Sequence, residues 1–188
     1  MVSVLELIEK TDEQLAAEAA REVSDGPAFN ALVGRHQERV WRVCFRIMGN
    51  EHDASDAAQE VFVALFQRRA AFAGKSKFGT WLYAIAVRTC LGLRRARGRR
   101  RKYEMESAQQ KGQEHASVTR ESAGQALDLA QMLETLDEED RAMLLLKYSE
   151  EYNYEELADV FHLSVSACKM RVSRAREELQ SRFPDHDL

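Results

Sequence analysis

Apolar residues recur at steps of three and four along most of the chain, which is the spacing of one helix face. Three such stripes follow one another in the first half: Phe29, Leu32, Val33, His36, Val40, Val43, Cys44 and Ile47; Ala57, Val61 and Leu65, with Phe62 and Phe66 beside them; and Trp81, Leu82, Ile85, Ala86 and Thr89. Gly49-Asn50 and Ala73-Gly74 interrupt the pattern between them. With two prolines and no strand-like alternation, the chain is predicted to be all-α.

A polar segment divides this helical pattern in two. Residues 103–124 are rich in Gln, Ser, Glu, Lys and Gly and poor in apolar residues, which is typical of a flexible linker. Helical spacing resumes at Leu127 and continues to Phe183. A length of 188 residues accommodates two small domains. We therefore predict helical domains at residues 1–102 and 125–188, joined by a flexible linker.

Charge is distributed unevenly, although the formal net charge is only −4. No Asp or Glu occurs from Val61 to Tyr103, where the basic residues are Arg68, Arg69, Lys75, Lys77, Arg88 and a cluster from Arg94 to Lys102. Acidic residues dominate from Glu104 to Asp159, and a second basic group then runs through Lys169, Arg171, Arg174 and Arg176. Two cationic surfaces are therefore separated by an acidic middle.

The second basic group lies in a helix-turn-helix pattern between Tyr154 and Leu179. A turn around His162 to Ser164 joins two short helical segments, and Ser164 is a favourable N-cap for the second. That second helix has Cys168, Val172, Ala175 and Leu179 on one face and Lys169, Met170, Ser173, Arg174 and Arg176 largely on the others. A recognition helix in the major groove needs this division. The alternative is an ordinary amphipathic helix with a solvated basic face.

Several classes of protein are excluded or disfavoured. No apolar run approaches the ~20 residues that span a bilayer, and no secretory signal pattern is present, so we expect a cytoplasmic protein. Cys44, Cys90 and Cys168 lie far apart among apolar residues, which predicts core positions rather than a disulfide or a metal site. The five histidines show no metal spacing, and no phosphate loop or nucleophile motif occurs. We expect no enzymatic activity, no metal and no cofactor.

Four strings occur in an order and spacing that resemble one family. They are DASDAAQEVFVALF, then FAGKSKFGTWLYAIAVRT, then the basic cluster and polar linker, then YEELADVFHLSVSACKMRVSRAREEL. Over residues 25–183 the chain resembles the extracytoplasmic-function sigma factors of the sigma-70 family. The resemblance implies sigma domains two and four, promoter DNA as a partner, and core RNA polymerase bound through its beta-prime clamp helices and beta flap. It leaves open whether an anti-sigma factor also binds.

The resemblance assigns a polymerase-binding helix to the N-terminal domain. Its contact residues are Asp53, Asp56, Gln59, Glu60 and Phe62. The three acids lie at three- and four-residue steps and form one stripe that suits basic polymerase side chains. The alternative for Asp53 and Asp56 is a solvated helix start, where the positive end of the helix dipole favours acids.

Promoter contacts are implied for both domains. In the loop from Phe72 to Thr80 and the following helix, the minus-ten contacts are Lys75, Ser76, Lys77, Arg88, Arg94, Arg95 and Arg97. In the helix-turn-helix, the minus-thirty-five contacts are Ser166, Lys169, Met170, Arg171, Ser173, Arg174 and Arg176. The chain departs from the family pattern at Ala84, Thr89 and Gly92, and His162 stands where glycine is usual in the turn. Phe72, Phe78 and Trp81 are expected to pack in the core rather than to stack on bases.

These patterns favour a sigma factor that recognises and helps to open promoters. The rival interpretation is a helix-turn-helix regulator whose N-terminal domain senses a ligand or forms a dimer. A sensor domain has no need for the acid-free basic strip at residues 61–103, whereas recognition of two separated promoter elements does.

Overall fold

The computed structural model describes residues 4–110 and 131–184. All regular secondary structure in these two ranges is helical, as the apolar spacing predicts. The helices are α1 (Val4–Glu9), α2 (Asp12–Ala19), α3 (Pro27–Met48), α4 (Glu51–Arg68), a short 3₁₀ turn (Arg69–Ala71), α5 (Phe78–Gln110), α6 (Glu138–Ser149), α7 (Tyr154–Phe161) and α8 (Val165–Arg182). Residues 131–134 are also helical. No helix within the described ranges has the length and apolar character needed to cross a bilayer.

The N-terminal domain is built around α3, which packs against α2, α4 and α5. The first predicted stripe forms its core: Leu32, Val40, Val43 and Cys44 are at most 1% exposed. On α4, Ala57, Val61 and Leu65 face the same core. Helices α1 and α2 precede the first predicted stripe, and the guanidinium of Arg35 ties them to α3 through the backbone carbonyls of Leu7, Ile8 and Lys10.

Helix boundaries follow local chemistry. Gly49 ends α3 with a φ of 81°, a left-handed conformation that glycine adopts without steric cost. Asn50 then begins α4, and its side chain accepts a hydrogen bond from the backbone N–H of Asp53. In the C-terminal domain Ser164 caps α8 by accepting from the backbone N–H of Ala167, as its position in the sequence predicts.

The C-terminal domain consists of α6, α7 and α8 around a second apolar core. Cys168, Val172, Ala175 and Leu179 are all buried on one face of α8, which confirms the predicted stripe. All three cysteines are buried and unpaired, also as predicted. A capping box at Asn153 and Glu156 begins α7.

The segment between the domains differs in part from the expectation. Helix α5 continues to Gln110, so residues 103–110 of the predicted linker are helical. The flexible linker proposed for residues 111–124 lies outside the described residues.

The two domains lie against each other. Helix α7 packs along α5, and α6 packs on α3. As a result α5 is surrounded on several sides, and every residue from Leu82 to Val87 is buried. A helix that is buried all round shows no single apolar stripe, which explains why the sequence pattern alone did not reveal this second contact.

Candidate nucleic-acid interface

Helix α8 presents a polar and cationic face to solvent. Ser166, Lys169, Met170, Ser173 and Arg174 are all exposed, while the core stripe lies on the opposite side. Met170 is 52% exposed, which is unusual for a large apolar side chain and leaves it available to a partner. The ammonium of Lys169 lies 5.6 Å from the ring centroid of Tyr154 on α7. This arrangement can present donors and one apolar contact to a DNA groove.

Two arginines of the same helix are already engaged within the domain. Arg171 forms ion pairs with Asp140 at 2.6 Å and Glu139 at 3.1 Å, and its Nη2 lies 3.9 Å from Asp137. Arg176 donates to the Tyr148 hydroxyl at 3.4 Å. The ion pairs of Arg171 fasten α8 to the start of α6. Its predicted phosphate contact stays a prediction, and the structure adds a packing role.

The loop before α5 displays two exposed lysines, Lys75 and Lys77, beside a half-buried Ser76. Gly74 allows the turn with a φ of 67°. The backbone N–H of Phe78 donates to the carboxylate of Glu13 at 3.1 Å, and this hydrogen bond lowers the pKa of Glu13. Phe78 is only 2% exposed and contacts the rings of Phe72 and Trp81, in agreement with the core roles predicted for these aromatics. The loop is therefore held at one end by an acid and an aromatic cluster.

The predicted minus-ten arginines of α5 all have partners. Arg94 donates to the backbone carbonyl of Ile47 at 2.8 Å. Arg95 pairs with Glu139 at 3.0 Å. Arg88 donates to Nε2 of His162, and Arg97 pairs with Asp53. The basic surface of α5 is thus covered by protein groups.

The predicted polymerase-binding side chains lie along one side of α4. Asp56, Gln59 and Glu60 are exposed, and Phe62 is half-buried. Asp53 accepts hydrogen bonds from the Asn50 side chain and from Arg97, and both lower its pKa. The carboxylate is therefore ionised at neutral pH and already paired with a predicted DNA contact.

The structure also reveals contact residues that sequence reasoning missed. Tyr152 is 1% exposed, although it lies in a polar segment between α6 and α7. Its ring lies across from Tyr83 of α5, with centroids 6.2 Å apart. The Arg39 guanidinium is 4.7 Å from the Tyr83 centroid and 5.2 Å from the Tyr152 centroid. A large aromatic residue just before the capping box is the one signal that could have indicated this contact.

Comparisons with protein families identify two regions. The model of Sigma-70 region 2 matches residues 32–100, and the model of Sigma-70 region 4 matches residues 126–179. These matches fall on the two predicted domains and on both basic surfaces.

Curated relatives match nearly end to end. The chain is 30% identical to the ECF RNA polymerase sigma factor SigW of Bacillus subtilis, over 86% of this chain and 91% of the relative. It is 32% identical to the RNA polymerase sigma-H factor of Pseudomonas aeruginosa, over 92% and 94%. The sigma-E factor of Escherichia coli K12 is 30% identical, over 93% and 95%.

Solved structures share the fold. CnrH, in complex with the cytosolic domain of CnrY, superposes with a TM-score of 0.65 at 27% identity, over 95% of this chain and 100% of CnrH. RpoE of Bartonella quintana, in complex with the anti-sigma factor NepR, has a TM-score of 0.59 at 22% identity, which shows a common fold alone.

Proposed function

Since the chain belongs to the extracytoplasmic-function sigma factors of the sigma-70 family, we propose that α4 binds core RNA polymerase while α5 and α8 bind two promoter elements. As a sigma factor it directs promoter-specific initiation of transcription, with core RNA polymerase and promoter DNA as partners. Its work is binding, and no catalytic residue is assigned. Polymerase and promoters lie in the bacterial cytoplasm, so we place its action there.

The split face of α8 is the observation that carries the promoter-reading part of the proposal. Lys169, Ser173 and Arg174 can reach bases or phosphates because the opposite stripe holds the helix to the domain core. Arg and Lys are the side chains that most often donate to guanine in the major groove. We assign α8 to the minus-thirty-five element.

The α5 surface and its preceding loop are assigned to the minus-ten element. Lys75 and Lys77 are exposed and free to meet phosphates or a displaced base, whereas the arginines of α5 must first leave their present partners. The exposed acids of α4, Asp56 and Glu60, suit basic side chains of the polymerase. One solved neighbour binds an anti-sigma factor, and we extend that class of partner to this chain as a third.

Run-off transcription with core polymerase on a pool of genomic fragments tests the function. We expect discrete start sites with the wild-type chain and none with core polymerase alone. A variant with Asp53, Asp56 and Glu60 all changed to Ala should lose core binding in a pull-down while its helical circular dichroism stays unchanged. A chain that binds DNA but neither co-elutes with core polymerase nor starts transcripts would instead be a helix-turn-helix regulator.

A further inference from the structure

The C-terminal domain covers the α5 surface that the proposed function assigns to DNA. Helix α7 packs along α5, and the segment between α6 and α7 inserts Tyr152 against the N-terminal domain. Arg39 lies against the rings of both Tyr83 and Tyr152, so one cation joins aromatic residues of the two domains. The domains therefore meet through a specific contact.

Acidic groups of the C-terminal domain lie where DNA phosphates would have to bind. Glu138 is 3.7 Å from both Arg94 and Arg95, and Glu139 reaches Arg95 at 3.0 Å. These carboxylates come from the first turn of α6, in the acidic middle of the sequence. A phosphate and a carboxylate compete for the same guanidinium donors. Arg94 and Arg95 cannot serve both at once.

A second charge contact lies outside the predicted DNA-binding residues. The side chain of Glu150 is only 6% exposed and lies 3.8 Å from Arg42 and 3.9 Å from Arg46 of α3. At these lengths the contacts are ion pairs rather than hydrogen bonds. A buried carboxylate depends on such neighbours, because burying a charge without a partner is costly. The contact therefore offers a way to open the interface without changing a DNA-binding residue.

The interface also carries local strain. Within the described residues, Glu151 and His162 are the two non-glycine residues with positive φ, at 57° and 56°. They lie at the two ends of α7, next to Tyr152 and against Arg88 respectively. The Tyr152 hydroxyl is buried and has no hydrogen-bond partner among the described residues. Strained backbone and an unsatisfied hydroxyl are typical of a contact that must also come apart.

We propose that the C-terminal domain is an intramolecular inhibitor of α5, whose carboxylates occupy the phosphate-binding arginines until the domains separate. This proposal rests on the assignment of α5 to DNA. In the closed chain α8 keeps its outer face exposed, so closure masks one promoter-binding surface and spares the other. Binding of α5 to DNA is then reduced by the fraction of chains that are closed.

Charge reversal at Glu150 tests the proposal in the full-length chain. Glu150→Arg brings a third cation to Arg42 and Arg46, so the domains should separate. Small-angle scattering should show a larger radius of gyration. A short fluorescein-labelled single-stranded oligonucleotide of mixed sequence should bind about tenfold more tightly, since the open fraction rises. Glu155→Arg, the same charge change on an exposed residue of α7, should alter neither reading.

Rescue distinguishes separation of the domains from general unfolding. Adding Arg42→Glu and Arg46→Glu to the Glu150→Arg chain restores opposite charges and should restore the compact radius and the weaker binding. His162→Gly is a second opening variant, because it removes the Arg88 contact while relieving the left-handed backbone. It should expand the chain without lowering its melting temperature.

The outcomes separate the two proposals. If neither opening variant is larger than the wild-type chain, closure is wrong. If both expand but bind the oligonucleotide no more tightly, the inhibitory role is wrong and the assignment of α5 to DNA falls with it. Loss of run-off transcription by the wild-type chain, by contrast, counts against the sigma function and leaves the scattering result standing.

Discussion

Two helices of this chain carry basic surfaces of similar composition, yet the structure treats them differently. On α5, Arg94, Arg95 and Arg97 all pair with other parts of the protein. On α8, Lys169 and Arg174 point to solvent from a helix whose other face is buried. Local charge therefore does not decide whether a basic helix is available to DNA. The parts of the chain that pack beside it decide that.

The difference has a consequence for recognition. A surface that is already free can meet DNA at once, whereas a paired surface must exchange its carboxylates for phosphates. We expect α8 to contribute sequence discrimination directly and α5 to contribute only after the domains separate. Four predictions test this contrast, in order of decreasing effect.

Arg174→Ala should cost the most, because an exposed arginine can donate two hydrogen bonds to guanine. We expect a loss of about 1 to 3 kcal/mol in binding to the preferred promoter, and relaxed preference at one base pair. The measurement is binding of the polymerase holoenzyme to a randomised upstream element at fixed salt, since phosphate contacts make affinity salt-dependent. Arg176→Ala is the control and should weaken binding about equally on all sequences. Equal behaviour of the two variants would contradict the assignment.

Arg171→Ala should act on stability. Its ion pairs with Asp140 and Glu139 fasten α8 to α6, and the side chain is 29% exposed, so solvent screens them only in part. We expect a loss of about 1 to 2 kcal/mol in the free energy of unfolding. Urea denaturation followed by circular dichroism measures it. The matched variant Arg174→Ala should stay within about 0.5 kcal/mol of wild type. An Arg171→Ala chain as stable as wild type would show that these pairs contribute nothing.

Met170→Ala should change preference without changing stability. Met170 is exposed on α8 and can contact a thymine methyl group, which distinguishes thymine from cytosine. We expect a shift of about 1 kcal/mol or less at a single position of the upstream element. Selection from a randomised element, with the Ser173→Ala chain in parallel, measures it. Unchanged preference in both variants would mean that α8 presents a different face to DNA.

Asp53→Asn should have the smallest effect and should depend on pH. The Asn50 and Arg97 hydrogen bonds lower the pKa of Asp53, so its stabilising contribution is complete above about pH 5, where an unfolded Asp is ionised. That contribution is lost as the pH falls through the lowered pKa. We expect a deficit of about 0.5 kcal/mol at neutral pH for the variant, shrinking below about pH 4. Urea titrations at several pH values measure it. A deficit that grows on acidification would contradict the sign.

Much of the fold could be predicted because its causes are local. The 3.6-residue period places Cys168, Val172 and Leu179 on one face whatever surrounds the helix, and these residues are buried in the structure. Gly49 and Ser164 end and begin helices through their own backbone and side-chain chemistry. The resemblance of the four strings added the family, which the comparisons confirm.

What the sequence by itself determined is therefore the all-helical class, the two domains and the position of the recognition helix. Only the tertiary structure decided which arginines are paired. Arg171 and Arg174 lie on one helix with the same charge, yet only Arg171 meets the carboxylates that the start of α6 brings to it. The partner of Arg97, Asp53, lies 44 residues away along the chain. Helical periodicity reports a residue's own face, whereas pairing depends on what a distant segment places opposite that face.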